Sequence, residues 1–161
     1  MKGNVKVIES LNGLLHNELA AIDQYFIHSR MYEDFGLDKL CQQLDHEMQE
    51  EITHADALIK RILFLEGTPN LKSRRDLLIG KDVPSMLAND LTLEMEVVAA
   101  LKASITLCES EGDYQSREML EKLLIDTEED HVYWLEKQIG LIDKIGLQNY
   151  IQSYMGQHLP D

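Results

Sequence analysis

The chain has 161 residues, of which 44% are hydrophobic and 6% aromatic, and this length suits a single domain with a sizeable core over 1–161. Helix-forming residues such as Leu and Glu dominate, only nine Gly and three Pro occur, and the composition therefore predicts an all-α fold. The formal net charge of −14 excludes nucleic acid and anionic membranes as natural partners, because both attract cationic surfaces.

Helix-breaking residues divide the chain into four long helical segments. The breaks fall at Gly36, Gly67–Pro69, Gly112–Asp113 and Gly146. The predicted helices span about 4–35, 38–66, 84–111 and 113–145, followed by a short fifth helix over about 147–155 and a frayed end at 156–161.

The lengths of the connections predict how these helices are arranged. The first and second helices, and likewise the third and fourth, are joined by short turns and should run antiparallel. The segment between the second and third helices is long enough to run the length of a bundle. The sequence therefore predicts a four-helix bundle with one long crossover and a short fifth helix.

The apolar runs and the cysteines of the chain bear on its expected cellular location. No apolar run reaches the length of a signal-peptide core or a membrane span, so a cytoplasmic protein is predicted. Cys41 and Cys108 stand alone, without the spacing of a metal or redox site, and are expected to be buried, reduced thiols.

A Glu-x-x-His motif occurs twice, as EITH at 51–54 and as EEDH at 128–131. Residues three apart share one face of an α-helix, and both motifs continue the apolar stripes of their helices. The first and third helices each carry one Glu on a comparable stripe. Six side chains are therefore predicted to point into the bundle: Glu18, Glu51, His54, Glu94, Glu128 and His131.

Four ionised carboxylates in one core require compensating positive charge, because burial of an isolated charge is costly. Lys and Arg are absent from these stripes at the level of the glutamates, whereas two divalent cations would balance four carboxylates. Carboxylate and imidazole ligands suit iron or manganese better than structural zinc. Any one of these residues alone is most often a solvated surface group, so the metal interpretation depends on all six occurring together.

Four stretches of the chain resemble the bacterioferritins: LLHNELAAIDQYFIHSRM, HADALIKRILFLEGTPNL, EEDHVYWLEKQI and IGLQNYIQS. The resemblance covers nearly the whole chain and implies a ferritin-like four-helix bundle with a di-iron centre. It also implies a role for each of the six side chains: Glu18 and His54 would hold one iron, Glu94 and His131 the other, and Glu51 and Glu128 would bridge the two.

The same resemblance implies a function. The chain would be a ferroxidase that oxidises Fe(II) to Fe(III) with O2 or H2O2 and stores ferric mineral. It would do so in a closed cage of roughly two dozen subunits, with the short last helix beside a symmetry axis.

Two positions depart from the family pattern. Bacterioferritins typically hold haem b through a Met that directly follows the bridging Glu of the second helix, and here that position is Ile52, which cannot ligate iron. Haem binding through this position is therefore not expected. The nearby Met31 and Met48 are expected to serve in packing rather than as haem ligands. The subunit could instead co-assemble with a subunit that carries the Met. The chain between Glu94 and Glu128 is one residue longer than usual, which we expect the Glu111–Gly112 turn to absorb.

Several further residues are weaker candidates. Tyr25 should lie inward, as a core aromatic or as a phenol that hydrogen-bonds a ligand carboxylate or donates an electron. His46 and Glu50 could form an iron site on the inner surface or an exposed ion pair. Asp90 is predicted to orient His54 or His131, or else to lie on the surface.

Two other functions remain open from the sequence. One is a di-metal oxidase or peroxidase that shares the bundle and ligands without forming a cage. The other is a structural subunit that fills a mixed shell without turnover. Tyr133 and Trp134 are expected to pack in the core or an interface.

Overall fold

The computed structural model describes residues 1–72 and 74–156, and these residues form helices and no strand. The elements are α1 (Val5–Asp34), α2 (Asp38–Phe64), α3 (Val83–Ser110), α4 (Tyr114–Ile125), a π-helical segment (Asp126–Val132), α5 (Tyr133–Ile145) and α6 (Leu147–Tyr154). The all-α, ferritin-like four-helix bundle with a short fifth helix is confirmed. The prediction of one continuous α-helix over 113–145 is wrong in its middle, where the π-helical segment lies. Of the end predicted to be frayed, residues 157–161 lie outside the described residues.

The helices begin and end at residues whose chemistry caps them. The Asn4 side chain accepts a hydrogen bond from the backbone N–H of Lys6 at 2.8 Å and starts α1. Asp82 and Ser85 form a reciprocal capping box at the start of α3, and Pro84 lies between them in the first turn. The turn after α1 needs a positive φ of 78° at Gly36, which glycine adopts without strain. These local signals explain why the sequence located the long helices well.

Two apolar clusters form the core, one toward each end of the bundle. The first includes Leu11, Leu58, Ile62, Leu101 and Leu120. The second includes Tyr32, Leu40, Leu44, Leu87 and Leu135. Both cysteines are buried and free, as expected. The two clusters leave a polar layer between them at mid-height, so apolar packing on both sides fixes the side chains of that layer.

A buried polar network ties the crossover to the bundle. The backbone N–H of Gly80 donates to His28 Nε2 at 3.0 Å, and His28 Nδ1 therefore carries the proton that it donates to Asp90 Oδ1 at 2.8 Å. Gln24 Nε2 donates to the same Asp90 oxygen at 2.7 Å, and Gln24 Oε1 accepts from the backbone N–H of Leu78 at 2.9 Å. Both predictions for Asp90 are thus wrong: it is fully buried, and it orients His28 rather than His54 or His131.

Replacing His28 with Ala is expected to destabilise the protein by about 3–5 kcal/mol, because the change leaves the buried carboxylate of Asp90 without its main partner. It also removes the acceptor of the Gly80 N–H, so limited proteolysis should cut the crossover faster. The matched control is His16→Ala at a partly exposed position of α1, expected to change stability by no more than about 0.5 kcal/mol. Equal effects of the two changes in urea unfolding would contradict the anchoring role.

None of the helices in the described part of the chain combines the length and the hydropathy that a bilayer crossing requires.

Candidate metal centre

Five of the six predicted ligands meet in the polar layer between the two apolar clusters. Glu18 comes from α1, Glu51 and His54 from α2, Glu94 from α3 and His131 from the π-helical segment, and all five are buried. His54 Nδ1 lies 3.2 Å from Glu51 Oε2 and 4.0 Å from Glu18 Oε2. His131 Nδ1 lies 2.8 Å from Glu51 Oε1 and 3.5 Å from Glu94 Oε1. The two imidazole rings are stacked with centroids 5.8 Å apart.

These side chains form two three-ligand groups that share one residue. Glu18, Glu51 and His54 make one group, and Glu51, Glu94 and His131 make the other, with the ligand atoms of each group within 4.8 Å of one another. Glu51 thus contributes an oxygen to each group. The arrangement could therefore hold two neighbouring cations joined by one carboxylate.

Several buried polar atoms in the layer have no hydrogen-bond partner. They are both carboxylate oxygens of Glu18, Glu51 Oε1, Glu94 Oε2 and His131 Nδ1. His131 Nδ1 and Glu51 Oε1 are only 2.8 Å apart, yet their directions do not form a hydrogen bond. Two ligand atoms that point at the same metal ion lie close together without forming a hydrogen bond to each other. Without such an ion, buried polar groups that lack a partner are costly. The donor set fits divalent cations of the iron and manganese type.

The electrostatics of the layer also favour a cation. Burial raises the pKa of Glu18 well above its ordinary value, and the charge of Glu51 adds to the increase. Burial likewise raises the pKa of Glu51. Burial alone would lower the pKa of His131, but the close carboxylates of Glu51 and Glu94 outweigh it and raise that pKa. The metal-free layer therefore retains protons that a divalent cation would replace.

Glu128 is the one predicted ligand that the structure does not bring into the layer. Its side chain is 41% exposed, and its Oε1 lies 2.5 Å from Lys102 Nζ. The expectation that both Glu-x-x-His motifs point inward is therefore wrong for this residue. The physical reason is the π-helical segment, whose wider turn separates residues three apart that an α-helix would place on one face.

The π-helical segment also corrects the expected place of the extra residue. We expected the Glu111–Gly112 turn to absorb it, but that turn is a tight one closed by a hydrogen bond from the Gly112 N–H to the Glu109 carbonyl. A π-bulge accommodates one additional residue within a helix, and the irregularity lies at Asp126–Val132. The sequence carries no strong local signal for the π-helical segment, because a residue such as Thr127 also occurs in ordinary α-helices.

A third group of possible ligands adjoins the centre. His131 Nε2 lies 3.1 Å from Glu47 Oε2 and 3.0 Å from Glu50 Oε2, while exposed His46 lies 3.4 Å from Glu50 Oε1. The predicted His46–Glu50 pair is thus present as a contact beside His131. Glu47 is a further candidate ligand that was not predicted, although its place one turn before Glu51 on the same apolar stripe is a usable signal.

Tyr25 lies inward, as predicted, and its hydroxyl donates a hydrogen bond to the Glu94 carboxylate. Burial raises the pKa of Tyr25 well above its ordinary value, and the charge of Glu94 adds to the increase. The phenol therefore stays protonated and holds one oxygen of a candidate ligand.

The residues considered for haem and for packing are exposed or only partly buried. Ile52 is 42% exposed on the outer side of α2. Met31, Met48 and Trp134 are partly buried against the second apolar cluster, which agrees with the packing role expected for them. Tyr133 is exposed, with Lys137 Nζ 4.2 Å from the centroid of its ring, so core packing is wrong for this residue.

Comparison with known proteins agrees with this geometry. A family description, ferritin-like domain, matches residues 8–145. The chain is 61% identical over 155 residues to the bacterial ferritin of Synechocystis sp., covering 96% of this chain and 99% of that protein. It is 58% identical over 153 residues to the bacterial ferritin of Pseudomonas aeruginosa, covering 95% and 99%. It is 44% identical over 152 residues to the bacterioferritin of Brucella melitensis biotype 1, covering 94% of each. The chain therefore belongs to the ferritin-like family, as a relative of the bacterial ferritins and bacterioferritins.

Proposed function

We propose that this chain stores iron and acts as a ferroxidase, oxidising Fe(II) to Fe(III) at the layer that contains Glu51. One observation carries the proposal: two three-ligand groups share Glu51 deep in the bundle, and several of their buried oxygen and nitrogen atoms have no hydrogen-bond partner. Buried carboxylates without partners are retained where a cation satisfies them. The names of the relatives support iron as that cation.

The reaction needs two Fe(II) and one oxidant. Each Fe(II) gives up one electron, and the two electrons with two protons reduce O2 to H2O2, or reduce H2O2 to two molecules of water. The protein contributes carboxylates that favour Fe(III) over Fe(II), because a higher cation charge interacts more strongly with anionic ligands. Glu18 and His54 would bind one ion, Glu94 and His131 the other, and Glu51 would bridge them.

Glu128 keeps its proposed role as the second bridge, although in this structure its carboxylate lies on Lys102. It must move inward to take that role. Tyr25 supports the site by holding Glu94 in place, and its phenol is also positioned to supply an electron.

Iron leaving the centre needs acceptors on its way to the store. His46 and Glu50 would form such a station, and the contacts of Glu50 with both His46 and His131 support this. The assembly proposed is a cage of roughly two dozen copies, either of this chain alone or mixed with a Met-bearing subunit.

The test combines size-exclusion chromatography with aerobic Fe(II) titration of the metal-free protein. We expect a cage-sized particle that accumulates ferric iron, and a loss of initial oxidation rate in Glu18→Ala and Glu94→Ala variants. A small particle that oxidises Fe(II) without retaining it would instead indicate a di-metal oxidase. A cage with unchanged kinetics in both variants would leave the chain a structural subunit.

Haem binding by this chain alone is not expected, because the Ile52 side chain has no lone pair for an axial bond. Protein expressed with added haem should show no strong Soret band, whereas an Ile52→Met variant prepared in parallel should gain one. A strong band with bis-methionine character in the unmodified protein would overturn this prediction.

A further inference from the structure

The two Glu-x-x-His motifs lie in different backbone conformations and differ in the burial of their Glu side chains. In α2, which is α-helical, the side chains of Glu51 and His54 are 1% and 5% exposed and lie on one face. In the π-helical segment, the side chain of His131 is fully buried while that of Glu128 is 41% exposed. The backbone conformation, and not the spacing of the residues, therefore keeps Glu128 out of the layer.

Two side chains stabilise the outward position of Glu128. Thr127 is buried, and its hydroxyl donates to the backbone carbonyl of Leu123 at 2.9 Å, which satisfies an acceptor in the widened turn. Lys102 on α3 contacts Glu128 Oε1 with its ammonium nitrogen at 2.5 Å. Both partners of this ion pair are more than a third exposed, so the contact is weak and easily exchanged.

The charge of two bound cations would favour an inward position of Glu128. The carboxylates of Glu18 and Glu51 neutralise one divalent cation bound between them. Of the carboxylates in the layer, only that of Glu94 then remains for a second cation, so one positive charge is left uncompensated. His131, its other ligand, is also engaged by Glu47 and Glu50 through Nε2. A fourth carboxylate is therefore needed for the second cation and not for the first.

We propose that Lys102 and the π-helical segment withhold Glu128 from the centre, so that its two cation positions fill in sequence. The first cation binds at Glu18, Glu51 and His54. The second binds at Glu51, Glu94 and His131 only when Glu128 leaves Lys102 and turns inward. Lys102 is thus a positioning residue that sets the affinity of the second position. This inference rests on the proposed two-cation centre.

Titration with Co(II) tests the proposal, because its visible absorption reports each binding step without turnover. The unmodified protein should bind two Co(II) ions with unequal affinity. Lys102→Met should raise the affinity of the second step about 2- to 5-fold, the value of a lost exposed ion pair, and leave the first step unchanged. Glu128→Gln should weaken the second step by about tenfold or more.

The matched control is Lys122→Met, which removes the same charge from α4, where Lys122 Nζ pairs with Glu118 Oε1 at 3.2 Å. It should change neither binding step. Deletion of Thr127 provides an independent variant, since removal of one residue from the π-helical segment should restore an α-helix that turns Glu128 inward. Its two Co(II) affinities should then converge.

The outcomes separate the two proposals. Failure of the unmodified protein to bind two Co(II) ions would overturn the proposed centre itself. Two normal steps that neither Lys102→Met nor Glu128→Gln alters would overturn only the withheld-ligand proposal. The second step weakened by Glu47→Gln and not by Glu128→Gln would also overturn it, because Glu47 would then be the fourth carboxylate.

Discussion

Replacing Glu51 with Gln is expected to lower the initial rate of Fe(II) oxidation by at least about 100-fold and to abolish binding of two cations. Glu51 is the residue that belongs to both three-ligand groups, so its loss weakens both positions at once. Gln keeps the shape of the side chain and removes only the charge and one ligand oxygen. The measurement is stopped-flow absorbance of ferric product, together with Co(II) titration.

The stability of the same variant distinguishes a ligand from a structural residue. Burial raises the pKa of Glu51, so the metal-free protein gains little from this carboxylate and should melt at the same or a higher temperature after the change. Glu33→Gln at an exposed position of α1 controls for the charge and should affect neither measurement. A Glu51→Gln protein that oxidises Fe(II) at the unmodified rate would rule out this layer as the catalytic centre.

The fold could be predicted because local signals and the global pattern agree. Gly36 and Pro84 stand where α1 and α3 end and begin, and the apolar stripes have the period of an α-helix. The crossover was predicted by its length alone. Its anchoring by His28 was not predicted, because a single His on a helix gives no indication of which loop will donate to it.

Five of the six predicted ligands converge as expected, because helical spacing places them on the inward face of their elements. Glu18, Glu51, His54 and Glu94 lie in regular α-helices, and His131 lies near the end of the π-helical segment, two residues before α5 begins. Glu128 could not be placed, because its prediction assumed an α-helical turn and the π-helical segment replaces that turn. A period taken over a whole helix cannot detect one additional residue inside it.

Adding Zn(II), which has no redox chemistry, is expected to raise the melting temperature of the metal-free protein. One cation at 100 times its dissociation constant contributes about 2.7 kcal/mol, and two filled positions should raise the melting temperature by on the order of 10 °C. The measurement is differential scanning calorimetry of EDTA-treated protein with and without Zn(II). The Glu51→Gln variant is the control and should show little of this increase.

The increase should be larger at pH 7.5 than at pH 5.5. The ordinary carboxyl pKa is 4.5, and burial raises it for Glu18 and Glu51, so above pH 4.5 the unfolded chain releases protons that the folded chain retains. The raised pKa of His131 acts in the same direction above its ordinary value of 6.5. The stability that these groups give the metal-free protein is therefore greatest at low pH and declines as pH rises through the folded pKa values. Because Zn(II) displaces the retained protons, its contribution grows over the same range. An increase in melting temperature that is equal at both pH values would show that Zn(II) binds outside the buried layer.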